Sequence, residues 1–125
     1  MSGLVSRVLL RERLPDFRYG EVEALLREVA SDVRDTRKGR HWDFDAASQP
    51  DATASHTFSL TIVTTTERWY DYEDDLLERE LDYDDVPEAI EIHAACSDDF
   101  DYSICLRLSK EFTDLFSGID LGITR

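Results

Sequence analysis

Two short strings hold the residues best suited to chemistry: Trp69-Tyr70-Asp71-Tyr72-Glu73-Asp74-Asp75 and Asp82-Tyr83-Asp84-Asp85. Both interleave amphipathic rings with carboxylates. Carboxylates this dense point first to calcium. An EF-hand register starting at Asp71, however, puts Leu76 where the sharp turn needs glycine and Asp82 where a bidentate glutamate is needed. A zinc site would have to draw on His41, His56, His93, Cys96 and Cys105. The His93-x-x-Cys96 spacing places its two side chains on opposite faces of a strand, and no second close pair completes a tetrahedron. His93 and Cys105 become same-face neighbours in the hairpin described below, but no oxyanion loop stands beside them. Carboxylate pairs for glycoside hydrolysis arise by accident in a chain with 28 acids. The five glycines are scattered and make no phosphate loop. No catalytic residue, metal site or cofactor is expected, and the chain reads as a non-enzyme.

Recognition is the chemistry that remains. Tyr and Trp bury a large area at little rotamer cost, and carboxylates around them steer and orient a basic partner. The expected partner-binding residues are therefore Trp69, Tyr70, Asp71, Tyr72, Glu73, Asp74, Asp75, Asp82, Tyr83, Asp84 and Asp85.

The charge of the chain sharpens this. Its 125 residues carry a formal net charge of -14, which disfavours nonspecific binding to nucleic acid or to an anionic membrane. The charge is unevenly placed. Residues 1–42 hold nine basic and seven acidic residues, whereas Glu67–Asp101 holds 15 acids and two arginines. Adaptation to high salt would acidify the whole surface, so the slightly basic first third speaks against it. The 12-to-2 excess of Arg over Lys fits a GC-rich genome more simply.

Hydrophobic residues make up 42% of the chain, enough for one core in one domain spanning 1–125, with an acidic segment at 67–101. The first residues lack the apolar stretch of a secretory signal, and no run approaches a membrane span, so a cytoplasmic protein is expected. Cys96 and Cys105 cannot build a disulfide framework.

The elements that must position these residues are read from periodicity. Residues 4–14 fit a strand or a helix. Val22, Leu25, Leu26, Val29 and Val33 form one face of a helix expected over 20–36, with Arg37-Lys38-Gly39-Arg40 as its stop. Residues 43–56 are small and polar and read as a mobile loop. Phe58, Leu60 and Ile62 alternate with polar residues in a strand from His56 to Trp69. Asp74–Leu81 reads as a loop with one helical turn. Ile90, Ile92, Ala94 and Cys96 on one strand, and Phe100, Tyr102, Ile104, Leu106 and Leu108 on a second, read as a hairpin that sets Glu91 opposite Arg107. Lys110–Ser117 closes the chain as a short helix capped by Ser109. The expected fold is α+β, a mostly antiparallel sheet of three to four strands with one long helix in the N-terminal half and a short C-terminal helix.

The stretch Leu14-Pro15-Asp16-Phe17-Arg18-Tyr19-Gly20-Glu21, leading into Ala24-Leu25-Leu26, resembles the loop and helix start of barstar-type ribonuclease inhibitors. The resemblance covers about a tenth of the chain with a one-residue offset and assigns no family. Size, charge and the acidic–aromatic strings together fit a small protein that binds and neutralises a basic partner. The immunity protein of a bacterial toxin system, its toxin a nuclease, is the leading form of that expectation. The alternatives are an inhibitor that mimics nucleic acid and a small ligand-binding or enzymatic domain.

Overall fold

The computed structural model describes residues 3–36, 39–48 and 55–124. In chain order these form β1 (Leu4–Leu10), a 3-10 turn (Asp16–Arg18), α1 (Tyr19–Val29), β2 (Asp32–Asp35) and β3 (His41–Ala46). There follow β4 (His56–Thr64), α2 (Trp69–Arg79), β5 (Glu88–Ala94), α3 (Asp99–Phe116) and β6 (Ile119–Thr124). The six strands pair in one antiparallel sheet of order β2-β3-β4-β5-β1-β6.

Period-2 alternation decides which layer each side chain joins. Val8 and Leu10 of β1, Phe44 of β3, Leu60 of β4 and Ile92 of β5 all point to the same face. There they pack against Val22 and Leu26 of α1 and Ile104, Leu108 and Phe112 of α3. Phe44 and Phe58 sit directly opposite on β3 and β4, their rings stacked at 5.1 Å. The opposite face is covered at one end only, where Leu9, Val63 and Ala89 meet Tyr72 and Leu76 of α2. Beyond α2 that face carries His41, Asp43, Ser59 and Thr61, all half-buried. A bulge in β6 lets one strand serve both layers: Arg7 pairs with Gly122 and Val8 with Asp120. Gly122 takes the positive φ of +87° that the irregularity requires. Ile119 and Leu121 consequently pack on the α2 side and Ile123 on the other.

The fold class is α+β, but its layout departs from the expected one. Among the described residues there are six strands instead of three or four, and the longest helix is the 18-residue α3 in the C-terminal half. The expected hairpin is the main error. Phe100, Ile104, Cys105, Leu108 and Phe112 are spaced i, i+4, i+5, i+8 and i+12, a helical stripe hidden inside an apparent alternation. Asp98 is the N-cap of that helix, its side chain accepting from Asp101 N at 3.0 Å. The expected closing helix is the last part of α3, and Ser109 lies buried within it against Ser6 of β1. Glu91 accordingly faces Arg7, its cross-strand neighbour on β1, in place of Arg107.

The first expected helix is also shorter. It stops at Val29, because Ser31 N bonds Asp45 O at 2.9 Å and draws the chain into pairing with β3. Val33 therefore belongs to β2, opposite Phe44. The ambiguous first segment is the strand β1. Residues 43–46 of the expected loop are strand, and 49–54 of that loop lie outside the described residues, as do Arg37 and Lys38. Cys96 and Cys105 are both free thiols. Among the described residues, no helix is long and apolar enough to cross a membrane.

Candidate binding surface

The 11-residue helix α2 takes in Trp69, where the strand from His56 was expected to end, and most of Asp74–Leu81, expected as a loop with one helical turn. It contains five acids and one arginine, so its own side chains repel along most of its length. Two features hold it in place. Asp71 lies in the first turn, where negative charge meets the positive end of the helix dipole. Tyr72 and Leu76, one turn apart, bury completely or nearly so against the sheet, each worth about 1.5–3 kcal/mol of burial. The helix ends at Glu80, which takes the left-handed conformation at φ 56°.

Beneath α2 lies an ion cluster centred on Glu91, whose side chain is 1% exposed. Tyr72 donates its hydroxyl to Glu91 Oε2 at 2.6 Å. Arg68 Nη1 stands 3.5 Å from Oε1, Arg7 Nε 3.7 Å from Oε2 and His93 Nε2 3.4 Å from Oε1. The Arg7 guanidinium also lies over the Tyr72 ring, 5.8 Å from its centroid. Burial works against charge on Glu91. Hydrogen bonds from His93 and Tyr72, with the charges of Arg68 and Arg7, outweigh it and hold the carboxyl below the usual range. For Tyr72 burial and the adjacent Glu91 act together, so its phenol stays protonated well above the ordinary range. The cluster is a fastening for α2, every oxygen of the central carboxylate being occupied.

With Tyr72 and Leu76 facing inward, Tyr70, Glu73, Asp74 and Leu77 occupy the opposite stripe at i, i+3, i+4 and i+7. Tyr70 is 63% exposed, Leu77 69% and Trp69 54%. Trp69 and Tyr70 make an edge-to-face pair with centroids 5.9 Å apart. The second acidic string folds back beside the first. Tyr83 donates its hydroxyl to the backbone carbonyl of Trp69 at 3.3 Å, and Asp82 N bonds Asp85 Oδ2 at 2.9 Å to close the turn. Asp82, Asp84 and Asp85 are exposed on that turn.

The structure thus brings together most of the residues expected to bind a partner and removes one. Trp69, Tyr70, Glu73, Asp74, Asp82, Asp84 and Asp85 are exposed, and Asp71, Asp75 and Tyr83 are half-buried. Asp71 lies 3.8 Å from Arg68, and Asp75 lies 3.6 Å from Arg79. Tyr72 is fully buried and serves the Glu91 cluster instead. Leu77 was missed, although the four-residue spacing from Glu73 would have revealed it once the string was read as a helix. Three acids of the dense segment, Glu88, Glu91 and Asp101, are buried and belong to the interior. Glu88 ties three connections together, accepting from Leu14 N at 2.7 Å and pairing with Arg40 and Arg13.

On the other side of the sheet, α1 and α3 leave a groove of about 640 Å³ whose lining includes Leu25, Leu115, Glu28 and Asp114. It shares no residue with the α2 surface and gives a control for mutations there. No protein-family model, curated protein or solved structure matches the chain.

Proposed function

We propose that the chain binds and neutralises a basic protein through the outer face of α2 and the adjoining Asp82–Asp85 turn. The observation that carries this reading is the stripe itself: Tyr70 and Leu77, both more than 60% exposed, flank Glu73 and Asp74 on one helix face, with Trp69 beside Tyr70. Exposed apolar side chains scattered singly are ordinary, but three on one helix supply the anchors that interfaces are built around. Carboxylates on and next to those anchors supply attraction at a distance and orientation on contact.

A cationic cleft of the kind that holds nucleic acid phosphates is the natural complement. Occluding it with an acidic cover is how an immunity protein of a bacterial toxin system disarms a nuclease, and that is the specific role proposed. The rings and Leu77 favour one shaped partner over the broad competition expected of a nucleic-acid mimic, which needs only regularly spaced charge.

The test is retention of proteins from an extract of the source cell on the immobilised chain. The comparison uses Trp69→Ala/Tyr70→Ala and Asp74→Lys/Asp84→Lys, each shown to be folded by circular dichroism. A basic protein held by wild type and released by both variants supports the proposal. The same protein held by all three, or no basic protein held by wild type, contradicts it.

A further inference from the structure

We infer that His56, Asp98 and Asp101 form a binding site for a first-row divalent cation of the zinc class, at the junction of β4 and α3. This is independent of the α2 surface. One donor atom from each of the three side chains lies within 4.8 Å of the other two. His56 Nδ1 is 3.0 Å from Asp101 Oδ1 and 3.7 Å from Asp98 Oδ2. Ligands bound to zinc at about 2.0–2.1 Å in a tetrahedron stand about 3.3 Å apart, and the two separations bracket that value.

Two further observations point to a missing positive charge. Asp101 Oδ2 is buried and has no hydrogen-bond partner, on a side chain only 1% exposed. The other two buried acids of the segment each have arginines: Arg40 and Arg13 for Glu88, Arg7 and Arg68 for Glu91. Among the described residues, Asp98 and Asp101 form ion pairs with His56 alone and with no Lys or Arg. A buried carboxylate in direct contact with a second one, with only an imidazole as counter-group, is a like-charge contact that a divalent cation would relieve.

The surroundings suit the same ligand. Asp98 Oδ1 is engaged by Asp101 N at 3.0 Å, which fixes the carboxylate and leaves Oδ2 turned to the cluster. The His56 ring packs edge-on against Phe100 with centroids 4.7 Å apart, which sets its plane. Asp98 is 54% exposed, so the site opens to solvent and a cation has a path in. One imidazole and two carboxylates leave a fourth position for water, as three-ligand zinc sites do. Calcium would need six to eight oxygens and magnesium an octahedron of them, so neither is well served here.

The experiment is isothermal titration of the EDTA-treated chain with Zn²⁺, and separately with Ca²⁺ and Mg²⁺, alongside thermal melts. The comparison variants are His56→Gln, Asp101→Asn and Asp98→Ser, the last keeping a capping oxygen. The expected result is one equivalent of Zn²⁺ bound and a higher Tm with Zn²⁺ in wild type, with affinity at least about tenfold lower in the folded variants. Ca²⁺ and Mg²⁺ should bind far more weakly. His56→Gln alters a partly exposed residue at a strand end, so it remains informative if Asp101→Asn fails to fold. Absence of saturable Zn²⁺ binding, or binding of equal affinity in wild type and His56→Gln, overturns the inference.

Discussion

Tyr72 and Glu91 meet across 2.6 Å between the acidic helix and the sheet, the phenol donating to Oε2 of a carboxylate that is 1% exposed. That contact, together with the apolar cluster of Leu9, Val63 and Ala89, explains how a segment rich in like charge stays folded against the sheet. Its inward residues fasten it to Glu91 and the small apolar cluster, and Tyr70, Glu73, Asp74 and Leu77 face outward.

Replacing Glu91 by Gln should cost about 2–3 kcal/mol at pH 7, because Arg7 and Arg68 lose a buried counter-charge. The folded protein holds this carboxyl below its ordinary range. The stabilisation is therefore complete above the unfolded value of about 4.3 and disappears as pH falls through the lower folded value. Urea unfolding should show a constant gap between wild type and Glu91→Gln from pH 7 to about 5, narrowing below about 4.3. A gap that does not change with pH would show that charge on Glu91 contributes nothing.

Glu80 and Ser117 end α2 and α3 with φ values of 56° and 53°. A side chain in that conformation costs about 1 kcal/mol that glycine avoids. Glu80→Gly should stabilise the protein by about 0.5–1 kcal/mol, and it also removes one charge from the acidic segment. Chemical denaturation measures this directly, and a loss of stability would refute the strain argument.

Moderate salt should raise the Tm. At about 0.15 M, repulsion between exposed carboxylates more than about 8 Å apart is largely screened, whereas the ion pairs of Glu88 and Glu91 are shielded by burial. A Tm lowered by salt would mean that exposed attraction outweighs repulsion.

The two thiols should behave differently, since Cys96 is exposed and Cys105 is fully buried on the core-facing side of α3. A thiol reagent should modify one cysteine in the native protein and two in denaturant. Rapid modification of both would place Cys105 at the surface.

Much of this was legible in the sequence, and the rest fails for identifiable reasons. The alternation of Phe58, Leu60 and Ile62 gives β4, although the strand stops at Thr64 and not at Trp69, and the stripe from Val22 to Val29 gives α1. Residues 100–108 mislead because their apolar positions satisfy a period of 2 as well as 3.6. The local evidence that favours helix is the Asp98 cap followed by Asp99 and Asp101 in the first turn, but Ser97–Phe100 suits equally the odd-length loop that the hairpin register needs. For the binding surface, composition marks the right segment but not its phase. Only the helical assignment separates Tyr72, which turns inward, from Tyr70, which turns out. Glu91 sits in an apolar alternation and Arg7 in another, and nothing local shows that the two strands are neighbours. His56 is likewise separated by more than 40 residues from the two aspartates it meets.

The most direct measurement of the central claim is the association and dissociation kinetics of the captured basic protein with wild type, Asp74→Lys and Tyr70→Ala over a range of salt. The account predicts an association rate that falls with ionic strength and is at least about tenfold lower for Asp74→Lys at low salt. It predicts faster dissociation for Tyr70→Ala, with the loss of an anchoring ring. Rates unchanged in both variants, or lowered only by mutations such as Glu28→Lys in the groove between α1 and α3, would contradict it.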